Sequence, residues 1–216
     1  YCPPERLEEV RLHRARYRQR RRSQGIPVVS LVGYTNAGKS TLMNALARAD
    51  VLVEDRLFAT LDPVTRRIML PNGRPVLLTD TVGFIQKLPP TVVAAFRATL
   101  EEIQEADLLL HVIDITHQNA AEQAQVVDAI LGKMGLADKA RVLVLNKVDI
   151  LAPGLAESAA PDRVLKSFGS PAEGARWPVA VVSATLGWGL DRLRKLMARE
   201  VDRVAGQARV TSASLQ

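Results

Sequence analysis

Cysteine is almost missing from this chain of 216 residues, where Cys2 stands alone. One thiol cannot close an internal disulfide, so a disulfide-stapled secreted scaffold is excluded, as is a cysteine-rich zinc site. Long apolar runs are missing as well. A membrane-spanning helix needs about 20 apolar residues, and the longest stretch here, Leu108-Leu109-Leu110-His111-Val112-Ile113, is the size of a strand. No secretory signal is visible, so a reducing cytoplasm is the expected compartment, without membrane contact. His13, His111 and His117 have no metal-ligand spacing, and His111, inside an apolar strand, reads as packing. With 47% hydrophobic and 24% charged residues, the composition is that of a globular chain. The start at Tyr1 rather than Met is read as a fragment or a processed product.

Charge is concentrated at one end. Residues 1–24 contain eight arginines against Glu5, Glu8 and Glu9, and so hold five of the six net positive charges. No Pro or Gly falls between Glu5 and Gln24, so a basic helix over 1–24 is expected, with Leu7, Val10 and Tyr17 as a thin apolar stripe. Two uses stay open. Arg14, Arg16, Arg18, Arg20, Arg21 and Arg22 can neutralise nucleic-acid phosphates and release counterions. Alternatively, the segment is a solvated helix belonging to a neighbouring domain.

Beyond Gly25-Ile26-Pro27 the pattern changes. Apolar runs at 28–32, 108–115, 141–146 and 178–183 read as strands. Helical spacing covers 39–49, 91–104, 120–131 and 190–204. Two strand-like runs, 66–70 and 76–80, flank Pro71-Asn72-Gly73-Arg74-Pro75, and Asn-Gly between such runs is a strong hairpin signal. Residues 50–65 read as a loop, 151–176 as poorly patterned with a short helix near Arg163, and the tail 206–216 as flexible. Strands alternating with helices predict an α/β domain over 25–205, mostly parallel with one antiparallel edge strand and helices on both faces. Ligands in such sheets bind at the carboxyl ends of the strands.

The chemistry-bearing motifs fall at those ends. Gly33-Tyr34-Thr35-Asn36-Ala37-Gly38-Lys39-Ser40-Thr41 follows a strand and opens a helix, as a P-loop must. Its backbone N–H groups and helix N-terminus suit phosphates. Lys39 would reach the β- and γ-phosphates, and Ser40 would offer a hydroxyl to Mg²⁺. Asp80-Thr81-Val82-Gly83 comes 41 residues after Lys39; its Asp can hold Mg²⁺ and its Gly can offer an N–H to a γ-phosphate. In Asn146-Lys147-Val148-Asp149, the Asp149 carboxylate can accept from guanine N1–H and N2–H₂, donors that adenine does not present there. Asn146 and the Lys147 stem would support the loop and cover the base. Ser183-Ala184 could bring a backbone N–H to guanine O6. Between the first two motifs, Phe58-Ala59-Thr60-Leu61-Asp62-Pro63 supplies Thr60, a third Mg²⁺ ligand present only with a γ-phosphate, which makes that loop a switch. Together these describe a P-loop NTPase G domain binding GTP and GDP.

The P-loop with its following Thr41-Leu42, the 58–63 segment and Asp80-Thr81-Val82-Gly83-Phe84-Ile85 together resemble the HflX-type GTPases of the Obg–HflX superfamily. Leu88-Pro89 and Ala94-Ala95-Phe96-Arg97-Ala98-Thr99-Leu100-Glu101-Glu102 are similar to the same family, and the likeness runs over roughly residues 5–205. The resemblance implies a GTPase bound to the large ribosomal subunit that splits or rescues stalled ribosomes. It also implies a preceding N-terminal domain, with the basic segment as the end of a two-helix linker contacting rRNA. A monomer is expected. Phe84 stands where many GTPases have a water-orienting Gln, so slow intrinsic hydrolysis, accelerated by a partner, is expected. Asn36 either helps hold K⁺ beside the phosphates, as in GTPases with a similar loop, or only fixes the loop. The rival readings are a nucleotide-gated binding module, an ATP-using P-loop enzyme, which Asp149 opposes, and a K⁺-dependent GTPase acting on another RNA target or at a membrane, which the residues at 58–63 disfavour.

Overall fold

The computed structural model describes residues 25–48, 65–81, 103–151 and 176–213. Among the described residues the elements run in the order β1 (Val28–Gly33), α1 (Lys39–Arg48), β2 (Thr65–Met69), β3 (Pro75–Asp80), β4 (Leu108–Asp114), α2 (Ala120–Lys133), β5 (Arg141–Asn146), α3 (Val148–Leu151), β6 (Val179–Val181) and α4 (Leu190–Ala213).

The strands form one sheet in the order β2-β3-β1-β4-β5-β6. All neighbours are parallel except β2 and β3, whose hairpin closes through Gly73 with φ +75°. The expected α/β architecture and its one antiparallel pair are therefore present. Strand β1 is central. The chain first builds to one side of it and then crosses to β4 on the other, which opens a crevice at its carboxyl end.

Side-chain alternation explains the layers. On β1, Val29 and Leu31 join a core with Leu42, Met43 and Leu46 of α1 and Leu193 and Met197 of α4. Val28 and Val32 point the other way, into a cluster with Leu109 and with Val127 and Leu131 of α2. Both faces are covered, so the central strands read as unbroken apolar runs rather than as alternation. A salt bridge and two hydrogen bonds tie the hairpin to α4: Arg74 Nη1 to Asp202 at 2.5 Å, Asn72 Nδ2 to Asp202 at 2.9 Å and Arg194 Nη2 to the Met69 carbonyl at 2.5 Å.

Several expectations change. Strand β6 has three residues rather than six, because Ser183 leaves the sheet to bridge to Trp188. A short helix, α3, starts inside the third motif, Asn146-Lys147-Val148-Asp149. Helix α4 does not stop at 204 or at Gly206 but runs through the expected flexible tail to Ala213. One glycine costs a helix about 1 kcal/mol, and no proline follows it to end the helix. Residues 103–105 are helical, the end of the helix expected over 91–104, whose earlier turns lie outside the described residues. So do the basic segment 1–24 with Arg14 to Arg22, Phe58, Thr60, Gly83, Phe84 and the helix expected near Arg163. Among the described residues no helix is long and apolar enough to cross a membrane.

Candidate nucleotide site

The sheet's central crevice brings four of the sequence motifs together. Strand β1 ends at Gly33, packed so closely on β4 that a Cβ there would lie 2.3 Å from the Val112 carbonyl oxygen. The next residues turn sharply: Asn36 has φ +61° and Gly38 φ +94°. Asn tolerates the left-handed conformation better than most side chains, so Asn36 has a backbone reason to be Asn. Helix α1 then begins directly at Lys39, leaving the N–H groups of its first turn without intrahelical partners.

Lys39 is buried, and its Nζ donates to the carbonyls of Gly33 at 3.2 Å and Tyr34 at 3.0 Å. Burial pushes its ammonium below the ordinary lysine value, and the Asp80 charge opposes that shift. A buried cation with only two neutral acceptors is built to meet an anion. Beside it, Ser40 Oγ donates to Asp80 Oδ2 at 2.5 Å. The other carboxylate oxygen, Asp80 Oδ1, is buried without a hydrogen-bond partner among the described residues. Thr81 holds this strand end in place through its hydroxyl on the Leu31 carbonyl, 2.5 Å away. A hydroxyl and a carboxylate with an unused oxygen form the hard-donor set that suits Mg²⁺. Ser40 and Asp80, two of the three expected ligands, thus meet.

At the neighbouring strand end, Asn146 is almost fully buried, and its amide spans two loops. Nδ2 donates to the Ala37 carbonyl at 2.9 Å, and Oδ1 accepts from the Ala184 N–H at 3.1 Å. One side chain therefore joins the first, third and fourth motifs. The Ala184 amide, expected to reach a base oxygen, is instead donated to Asn146, and the Ser183 amide is donated to the Trp188 carbonyl at 3.0 Å. In this structure the N–H groups of that dipeptide frame the loop. Lys147 has φ +70°, and this turn carries the chain from β5 into α3, whose first turn holds Asp149. Trp188 packs against the cluster of Ile115, Val148 and Val181 beneath this loop. Trp177 lies away from the motifs, with the Arg141 and Arg176 guanidinium groups 5.0 and 4.9 Å from its ring centre.

Asp114 is the residue that sequence reasoning undervalued. It ends β4 with no recognised motif around it, and the N-cap of α2 is Asn119 rather than Asp114. Its Oδ1 accepts from the Thr116 N–H at 2.9 Å and the Thr116 hydroxyl at 2.6 Å, while Oδ2 holds Lys147 Nζ at 2.6 Å. Asp-x-Thr at a strand end was the available signal, but the lysine it engages lies 33 residues further on.

This sheet, with a phosphate loop on its central strand and Asn-Lys-x-Asp on the far side of β4, defines a P-loop GTPase domain. A family model described as 50S ribosome-binding GTPase matches residues 28–147. The chain belongs to that family. Among its relatives, a protein named GTPase HflX from Caldanaerobacter subterraneus subsp. tengcongensis is 58% identical over 147 residues, covering 68% of this chain and 34% of that protein. A second GTPase HflX, from Escherichia coli, is 49% identical over 146 residues, covering 68% of this chain and 34% of that protein. The HflX resemblance read from the motifs is thus borne out, although the chain spans only about a third of the length of these two relatives. Among solved structures, a GTP-binding protein of the archaeon Sulfolobus solfataricus in complex with GDP is similar. Its TM-score is 0.62 at 28% identity, over 93% of this chain and 61% of that one.

Proposed function

We propose that this domain binds GTP and GDP, hydrolyses GTP slowly on its own, and uses the bound nucleotide to control association with the large ribosomal subunit. The observation that carries the reading is the Asn146 amide, which ties the phosphate loop to the loop bearing Asp149. A nucleotide spans just such a pair of sites, phosphates at one and base at the other.

Each residue then has a task. The first-turn N–H groups of α1 and the Lys39 ammonium bind phosphate oxygens and oppose the charge that develops on them during transfer. Ser40 and Asp80, with Thr60, would hold Mg²⁺, which when bound neutralises phosphate charge. Asp149 accepts from the guanine edge. Phe84 offers no hydrogen bond to an attacking water, so the partner completes that function. K⁺ beside Asn36 is a further element of the proposal.

The base assignment has a direct test. Asp149→Asn replaces one acceptor by a donor and should weaken GDP binding about 10- to 100-fold, the cost of one well-placed bidentate pair. It should improve binding of xanthosine diphosphate, whose C2 carbonyl can accept from the new amide. Fluorescent nucleotide titration reads both, and unchanged GDP affinity would remove Asp149 from the site.

The partner is tested by co-sedimentation with large ribosomal subunits in a non-hydrolysable GTP analogue and in GDP, with and without residues 1–24. Binding that requires the analogue, and weakens on deletion, is expected. Phosphate release in the same mixtures should rise with subunits present, and more in K⁺ than in Na⁺. Failure to bind in either nucleotide state would sink the ribosomal part of the proposal.

A further inference from the structure

The turn at Lys147 raises a question of cost. A lysine at φ +70° occupies the left-handed region, which is unfavourable for a long side chain. Such a conformation persists only where its surroundings over-determine it. Backbone contacts supply part of the restraint: the Ile115 N–H reaches the Asn146 carbonyl at 3.3 Å, and the Val148 N–H reaches the Val182 carbonyl at 3.2 Å. On Lys147 itself, the backbone carbonyl accepts from the Ile150 N–H at 3.1 Å. Its side chain is held by the Asp114 carboxylate, from the end of the adjacent strand in register with Asn146.

Asp114 is itself held rigidly. Its side chain is 12% exposed and Lys147's 29%, so the pair is shielded well beyond an ordinary surface ion pair. One carboxylate oxygen is committed to Thr116, and the other is aimed across the loop at Nζ. Burial by itself would raise this carboxyl, but hydrogen bonds from Lys147 and Thr116 and the lysine charge bring it below the ordinary aspartate value.

We propose that Asp114 is a positioning residue for guanine recognition: it straps the Lys147 side chain down, fixing the left-handed turn that presents Asp149 and laying the lysine stem where the base sits. The inference rests on the reading of residues 146–149 as the guanine loop. Without the strap, Lys147 can relax to a negative φ, which swings the first turn of α3 and with it Asp149. The effect should therefore fall on recognition of the base and spare the phosphate half of the site.

The test compares GDP with inosine diphosphate, which lacks only the exocyclic amine that Asp149 would accept from. In the Asp114→Ala chain, GDP affinity should fall at least 10-fold and inosine diphosphate affinity much less, so the preference for GDP collapses. Asp114→Asn, which can keep an oxygen on Thr116 while losing the charge, should lose a smaller share of that preference. Asp114→Ala combined with Lys147→Ala should be no weaker than the worse single variant, since both remove one strap. Thermal unfolding without nucleotide reports the structural cost separately. A preserved GDP-to-inosine ratio in Asp114→Ala, or losses that simply multiply in the double variant, would overturn the proposal and leave Asp114 a stabilising residue. A wild-type chain that does not prefer GDP to inosine or adenosine diphosphate would instead refute the guanine reading of the loop, and the positioning role would fall with it.

Discussion

Replacing Gly38 by Ala should weaken GDP binding at least 100-fold while the sheet stays folded. A Cβ at this position would lie 2.3 Å from Asn146 Nδ2, and the backbone there has φ +94°, which side-chain-bearing residues avoid. The methyl group cannot be accommodated by a flexible tip, because the Asn146 amide is anchored at both ends. Either the phosphate loop moves or the amide lets go. Letting go strands the Ala37 carbonyl and the Ala184 N–H, at about 1–3 kcal/mol for each buried group left unpaired. Forcing an alanine into a left-handed conformation adds about 1–2 kcal/mol. Together these amount to several kcal/mol, placed at the junction of the phosphate and base loops. Titration with fluorescent GDP checks it, with circular dichroism as the control for folding. An affinity within a few-fold of the parent would show that the two loops need not be joined for nucleotide to bind.

Acidification between pH 6.5 and 4 should cost the domain up to about 3 kcal/mol of stability through one residue, His111. This histidine is 1% exposed, and neither ring nitrogen has a hydrogen-bond partner among the described residues. Burial lowers its pKa to about 4, against the pull of Asp128, whose oxygen lies 3.7 Å from Nδ1, and with added repulsion from Arg141. Arg141 occupies the same Asp128 oxygen at 2.6 Å, so the carboxylate is only partly available to the ring. The sign follows from proton uptake. Once unfolded, the histidine titrates near about 6.5. Below that pH the unfolded chain binds a proton that the native chain refuses until about pH 4, so stability falls across the window and this contribution levels off below it. Asp114 acts in a different range: its lowered pKa gives stability that is present above the ordinary carboxylate value and lost as pH falls through the native one. Urea unfolding of the parent and His111→Leu at pH 7, 5.5 and 4.5 separates the two. The parent should lose stability relative to the variant as pH falls, and parallel curves would mean that the ring finds a proton acceptor in the native state.

The parts of the fold legible in the sequence were those where burial acts on consecutive residues. Leu108 to Val112 is buried on both faces of the sheet, so the run is continuous and its identity as a central strand is plain. The Asn72-Gly73 turn was legible because few residues adopt its backbone conformation. The phosphate loop was legible because glycines, lysine and serine each have a separate job within eight positions. Contacts made across the fold were harder to read. Asn146 was expected to support its own loop, yet it reaches Ala37, 109 residues earlier. Asp114 looked isolated because its lysine comes from another strand. Strand β6 was overestimated because Val182 continues the apolar run while the chain already turns, at Ser183, toward Trp188. Helix α4 was ended too soon because Gly206 was given the weight of a stop signal, which a lone glycine does not have.

The bridge through Asn146 also bears on how the domain is made. A chain emerging N-terminus first produces the phosphate loop well before the partners of that loop. The amide that completes the frame waits for Ala184, and the helix that covers the same face as α1 follows it. Asp202, which pins the hairpin through Asn72 and Arg74, arrives later still. A nascent chain stopped before residue 184 therefore has its phosphate loop without the amide frame that braces it, and nucleotide capture waits for the segment that carries Ala184.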